Sequence, residues 1–225
     1  VDGPTGGDVG LTILHTNDFH GYIWGSEETG SAAQRATVIQ GVREEVESNG
    51  GSLLVLDAGD VRTGTYCSDH QQSLPDFLAM STMGYDAMVV GNHEFDVDFR
   101  ITLEQQEQVE FQFLGANVHR AETEEPLFDP TAIFERNGLR VGIIGLVTPH
   151  AATTSTRGAD PALRFLEAEE VARRYVAELR DQTDLIVVLS HLGIEQDRPL
   201  AETVEGIDVI VGGHSHTQLD EPLRV

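Results

Sequence analysis

A chain of 225 residues with 40% hydrophobic content and 23 glycines suits a globular α/β domain and excludes a disordered or fibrous chain. It carries 38 acidic residues against 14 basic ones, a net charge of −24, and all of the basic residues are Arg. That balance excludes a basic surface for a nucleic-acid backbone, and no apolar run approaches the roughly 18 residues of a membrane-spanning helix.

The acid excess would repel any acidic substrate, such as a phosphate, at long range. Bound cations reverse the local field, and molar salt shortens the screening length to about 3 Å. Acid excess without Lys reads as salt adaptation, the alternative being an Arg-favouring genome with an acidic, solubilising surface. On the first reading the fold needs about molar salt, because so large a charge repels itself. The single cysteine, Cys67, rules out an internal disulfide and reads as a small buried or half-buried residue.

Residues 1–10 read as a Gly-rich flexible leader with neither the basic nor the apolar region of a signal peptide. Leu11–Thr16 is a short apolar, β-branched run and predicts a buried strand. Ala32–Glu47 has helical spacing and stops at Asn49-Gly50-Gly51. Ser52–Leu56 predicts a second strand, Pro75–Met83 a helix closed by Gly84, and Ala87–Val90 a third strand. Ile101–Val109 reads as a helix and Phe111–Leu114 as a strand. Thr131–Arg136 and Arg140–Leu146 flank Asn137-Gly138, a strong hairpin signal. Glu167–Arg180 is a helix running from acidic to basic, matched to its dipole. Leu185–Ser190 and Val209–Val211 are further buried strands. The alternation implies one layered α/β domain from about residue 10 to the C-terminus, with mixed sheets.

The unusual polar residues fall just after the strands. Asp18 and His20 follow the first, Asp60 the second, Asn92 and His93 the third, His191 the Leu185–Ser190 strand, and His214 and His216 the last. Ligands of α/β sheets bind at the carboxyl ends of strands, so five such ends converging on one edge form a site. Carboxylate, imidazole and amide oxygen suit Mn²⁺, Zn²⁺, Co²⁺, Fe or Mg²⁺. The set holds no thiolate, which excludes a structural zinc finger. Two metals about 3.5–4 Å apart need a bridging carboxylate, and Asp60 is the natural bridge. His214 and His216 would face one way on a strand; a loop after Gly213 aims them at different metals.

These motifs resemble the calcineurin-like metallophosphoesterases: Asp18-Phe19-His20, Gly59-Asp60, Gly91-Asn92-His93-Glu94, His191 and Gly213-His214-Ser215-His216. The stretches LTILHTNDFHG (11–21), GGSLLVLDAGDVRTG (50–64), SLPDF (73–77), GYDAMVVGNHEFD (84–96) and VGGHSH (211–216) are similar to the 5′-nucleotidase branch, over residues 11–222. The resemblance implies a four-layer α/β/β/α sandwich with two mixed sheets. It implies one metal on Asp18, His20, Asp60 and His216, and a second on Asp60, Asn92, His191 and His214. His93 and Asp96 resemble the family's catalytic dyad: His93 stabilises charge on the phosphoryl group or protonates the leaving group, and Asp96 orients it. The implied nucleophile is a metal-bound water or hydroxide. The implied substrates are nucleoside 5′-phosphates, with UDP-sugars as a further class, and the implied placement is periplasmic or extracellular. A 2′,3′-cyclic-nucleotide or other phosphodiesterase is the alternative on the same centre. Relatives of this branch carry a C-terminal domain that stacks the base and binds substrate through arginines. Residues 11–225 correspond to the metallophosphoesterase domain alone, as a fragment or a short variant, and a metal-loaded but weakly active domain is a third reading.

The remaining histidines, His15, His70, His119 and His150, read as structural, with His15 packed inside its strand. Glu28 and Glu94 read as surface or supporting acids. Arg62 reads as a solvated side chain or a phosphate contact. Tyr22 and Trp24 follow the first motif and read as cleft-lining or packing residues.

Overall fold

The computed structural model describes residues 10–26 and 30–225. The expected leader, but for Gly10, and Glu28 lie outside the described residues. The first sheet is assembled from β1 (Leu11–Thr16), β2 (Ser52–Asp57), β3 (Ala87–Val89) and β4 (Gln112–Leu114), side by side in that order. Between these strands run α1 (Ala32–Ser48), α2 (Tyr66–His70), α3 (Leu74–Met83) and α4 (Phe99–Gln106). After β5 (Val118–Arg120) come β6 (Thr131–Arg136), β7 (Leu139–Val147), α5 (Ala151–Thr154), β8 (Leu163–Phe165) and α6 (Ala168–Leu179). The chain then forms β9 (Leu185–His191), α7 (Ile194–Thr203) and β10 (Val209–Gly212). The second sheet has the order β10-β9-β7-β6, and β5 pairs with β8 in a separate ribbon.

Local chemistry sets these boundaries. Ser31 and Gln34 form a reciprocal capping box at the start of α1. Asp98 accepts from Arg100 N and starts α4 before the expected Ile101. Gly84 closes α3 at φ 75°, a left-handed conformation that costs Gly little.

In β7 and β9, Ile143, Val187 and Leu189 point into the core between the sheets, while Ile144, Leu146, Ile186 and Val188 point outward. The outward set packs on Val171, Ala172, Tyr175, Val176 and Leu179 of α6, and on Leu200 of α7. Helix α1 covers the opposite face of the first sheet, and β3 packs against β7 and β9. The layers are α/β/β/α, as expected, and both faces of each central strand are buried.

One detail differs. The first sheet is parallel throughout, and only the β6–β7 pair makes the second sheet mixed. Each of β1, β2 and β3 is followed by helix before the next strand of the sheet, and such crossovers produce parallel neighbours. No helix among the described residues is long and apolar enough to cross a membrane.

Candidate metal centre

The carboxyl ends of β1, β2 and β3 meet those of β9 and β10 at one end of the two packed sheets. The loop after β1 lies along the loop after β2: Asp18 N donates to Gly59 O (2.9 Å), His20 N to Asp60 O (3.0 Å) and Gly21 N to Val61 O (2.8 Å). Asp18, His20 and Asp60 adopt φ of 51, 51 and 57°, and His214 and His216 adopt 73 and 50°. Left-handed backbone is uncommon outside Gly and clusters where function over-determines geometry. Close approach also needs bare backbone. A Cβ on Gly59 would lie 2.8 Å from His191 Nδ1, and one on Gly91 would lie 2.6 Å from Asp60 N.

Three groups of donors result: Asp18, His20 and His216; His20, Asp60 and His93; Asp60, His191 and His214. Within each, the ligand atoms lie within 4.8 Å of one another. Asn92 joins the third, its Oδ1 being 3.3 Å from His191 Nε2. The structure therefore brings together all seven expected ligands, and Asp60 belongs to two of the groups.

Hydrogen bonding shows what these atoms are prepared to hold. His20 Nδ1 sits 2.9 Å from Thr63 O, and His191 Nδ1 sits 2.6 Å from Ala58 O. A carbonyl only accepts, so both rings donate from Nδ1, and in neutral rings Nε2 carries the lone pair. His20 Nε2 then faces His216 Nε2 at 3.2 Å, and His191 Nε2 faces Asp60 Oδ2 at 3.0 Å. Around a neutral His191 ring the Nε2 lone pair and the Asp60 carboxylate would both be acceptors, so a positive charge is needed between them. Burial pushes the His191 imidazole down, yet the hydrogen bond and charge of Asp60 outweigh it and lift the ring to about 9. A proton there takes the place that a cation fills, so the donor set fits divalent metals.

Beside these groups His93 Nδ1 and Asp96 Oδ2 are 2.6 Å apart, while His93 Nε2 lies 3.9 Å from Asp60 Oδ2. Asp96 also accepts from Thr63 Oγ1 (2.7 Å) and Thr156 N (2.6 Å). Burial lowers the His93 imidazole, but Asp60 and Asp96 raise it above its ordinary value. Burial raises Asp96, and the bonds from His93, Thr156 and Thr63 bring it below the usual range. The result is an imidazole with its outer nitrogen turned toward Asp60.

Several expectations are corrected. Glu94 is a supporting acid and not a surface one. Its carboxylate is fully buried and accepts backbone N–H bonds from Asp60, Val61 and Arg62 (each 3.1 Å) and from Gly91 (2.6 Å). Burial, with Asp60 nearby, pushes it above the usual carboxylate range. Four amide donors favour its ionised form.

Arg62 is also buried, donating to Gln72 O and Gln105 Oε1 (2.6 Å each), so it neither faces solvent nor points at a phosphate. Cys67 and His15 are exposed, Cys67 on the short α2 and His15 on the edge strand β1. Tyr22 and Trp24 are exposed too, Trp24 at 80%, which removes the packing role. His119 is structural as expected, with its nitrogens 2.6 Å from Glu124 O and 3.1 Å from Ala116 O.

The profile of the family described as calcineurin-like phosphoesterase matches residues 11–218. The chain belongs to that family. This places it among phosphoric ester hydrolases, whose members use divalent metals. It is 39% identical to a 5′-nucleotidase of Vibrio cholerae over 221 residues, 91% of this chain and 40% of that protein. It is 34% identical over 255 residues to the trifunctional nucleotide phosphoesterase protein YfkN of Bacillus subtilis, covering 98% of this chain and 17% of that one. A crystal structure of a 5′-nucleotidase precursor from Thermus thermophilus superposes with a TM-score of 0.82 at 38% identity, over 94% of this chain and 43% of that one. The chain thus spans about 40% of the length of the nucleotidases it matches.

Proposed function

We propose that residues 11–225 form a metallophosphoesterase domain that hydrolyses phosphate monoesters, nucleoside 5′-phosphates foremost, across two divalent cations. The observation that carries this is the run of three overlapping donor groups, linked through His20 and Asp60, with Asp96 holding His93 at their edge. Asp18, His20, Asp60 and His216 would hold one cation, and Asp60, Asn92, His191 and His214 the other. Bound there, the cations would supply an activated water and positive charge toward the phosphoryl oxygens. The chain's own residues do the rest. Asp96 holds the His93 ring with its Nδ1 proton inward. His93 Nε2 then faces the Asp60 side of the site, where it hydrogen-bonds a phosphoryl oxygen or hands a proton to the departing alkoxide.

The nucleotide substrate rests on the 5′-nucleotidase relatives, and UDP-sugars extend the same class. A second reading on the same donor set is a phosphodiesterase acting on 2′,3′-cyclic nucleotides, and the relative named a trifunctional nucleotide phosphoesterase fits a range of nucleotide esters wider than 5′-phosphates. Salt adaptation and placement outside the cytoplasm belong to the proposal. Cooperative unfolding that is the same at low and molar salt would refute the first.

The test is phosphate release from AMP, 2′,3′-cyclic AMP and p-nitrophenyl phosphate, with Mn²⁺ or EDTA, in molar salt. Metal-dependent release that His93→Ala lowers by about a hundredfold or more, with metals retained, supports the reading. Full activity in His93→Ala removes the dyad. Two bound metals without turnover reduce the domain to a metal carrier.

A further inference from the structure

Thr63 is a β-branched residue at φ 67°, among the described residues that take a left-handed backbone without being Gly. For such a side chain this conformation is a genuine outlier, kept only where the surroundings impose it. Two contacts impose it here. The Thr63 carbonyl accepts from His20 Nδ1 at 2.9 Å, and the Thr63 hydroxyl donates to Asp96 Oδ2 at 2.7 Å. That carboxylate oxygen is the one that faces His93 Nδ1 at 2.6 Å. The next residue, Gly64, fixes the position from the other side. A Cβ there would lie 3.0 Å from His20 Cβ, so the backbone at 63–64 lies flat against the His20 loop.

We propose that Thr63 is a positioning residue that keeps His20 and the His93–Asp96 pair in one register. It would do so through its carbonyl on one side and its hydroxyl on the other. This rests on the roles given to His20, His93 and Asp96 above. The hydroxyl occupies the second lone-pair direction of Asp96 Oδ2, so the carboxylate cannot rotate away from the imidazole. The strained backbone is what points carbonyl and hydroxyl in opposite directions.

The test compares Thr63→Val, Thr63→Ser and Thr63→Gly with the unaltered chain and with His93→Ala. Valine keeps the shape and the strain and removes the hydroxyl. Serine restores the hydroxyl. Glycine removes the hydroxyl and the strain together. The expected kcat on p-nitrophenyl phosphate with Mn²⁺ falls about tenfold in the Val and Gly variants, with KM and bound Mn²⁺ unchanged, and recovers in the Ser variant. The apo thermal midpoint of the Gly variant is expected not to fall. A second readout needs no turnover: the downfield His93 Nδ1 proton in NMR spectra of the metal-free chain, assigned by its loss in His93→Ala. Exchange with water broadens it in Thr63→Val and leaves it sharp in Thr63→Ser.

A Val variant with unchanged kcat and an unchanged resonance overturns the inference while leaving the dyad intact. Fully active His93→Ala overturns the dyad instead. If the chain shows no turnover, the resonance alone decides.

Discussion

Asp60 and His216 belong to one site and are held in opposite ways. Asp60 is 2% exposed. Its amide donates to Glu94, its Oδ1 accepts from His93 N at 2.8 Å, and its Oδ2 faces His191. His216 follows the last strand on a loop, with a side chain 59% exposed, its Nε2 3.2 Å from His20 Nε2 and 3.5 Å from Asp18 Oδ1. The difference shows where rigidity is invested. The first sheet fixes the shared carboxylate with buried backbone bonds before any ligand arrives, and such preorganisation is what electrostatic stabilisation of a developing charge requires. The β10 loop leaves its imidazole in water, where a substrate can reach it.

The sharpest test of that contrast is Asp60→Asn. On the two-cation proposal both sites would lose their shared ligand, and the buried His191 loses the charge that lifts it. The expected loss in kcat/KM exceeds about a hundredfold, with metal content by elemental analysis falling at both sites. Retention of two metals per chain would show that Asp60 is not the bridge.

Glu94→Gln comes next. A glutamine presents an NH₂ where the carboxylate accepts two of its four amide bonds. Leaving buried donors unpaired costs about 1–3 kcal/mol each. The expected outcome is a lower apo thermal midpoint together with weaker Mn²⁺ binding, read by calorimetry. A variant with an unchanged midpoint would mean that the Asp60 loop holds its shape without Glu94.

Legibility follows the same division. Asp18, His20, Asp60, Asn92 and His191 were readable because each follows or ends a short apolar run, half-buried in β1 and buried in the others, and the match to a known family supplied the layer order. For Glu94 the choice between a surface and a supporting acid was not readable, since its partners are backbone amides and amides leave no mark in a sequence. The left-handed turn at Thr63 escaped for a related reason: a β-branched residue signals strand, and only tertiary contacts override that preference. The three-residue strands β5 and β8 are too short to show a period. The helix Ile194–Thr203 has no counterpart among the predicted elements, and it carries Pro199, a residue that disfavours helix interiors.

A third test probes the base of the rigid half. Asp57 is fully buried, accepts from Gly59 N at 2.9 Å and Thr16 Oγ1 at 2.5 Å, and so holds the turn that leads into Asp60. Burial outweighs these bonds and raises it from 3.8 to about 7. The folded state therefore binds this proton more tightly than the unfolded state does. Stability falls as pH rises across the window from 3.8 to about 7, and the full cost is present above it. Asp57→Asn removes that cost. The thermal midpoint of the variant relative to the parent is expected to shift in its favour between pH 4 and pH 8. A difference that stays constant over that range would show that Asp57 is already charged when buried.

The smallest effect belongs to His216→Gln. The exposed side chain leaves no cavity when shortened, and a Gln amide oxygen is still a neutral ligand for a hard cation. His20 Nε2 and Asp18 Oδ1 keep their places, because the first is set by the Thr63 carbonyl and the second accepts from His214 N at 3.0 Å. Affinity at one metal site is expected to drop less than about tenfold, and kcat at saturating Mn²⁺ to stay within about threefold. Stability should not change, since a surface substitution of this kind stays within about 0.5 kcal/mol. If His216→Gln were as damaging as Asp60→Asn, the exposed loop would be as decisive as the buried carboxylate, and burial would cease to rank the ligands.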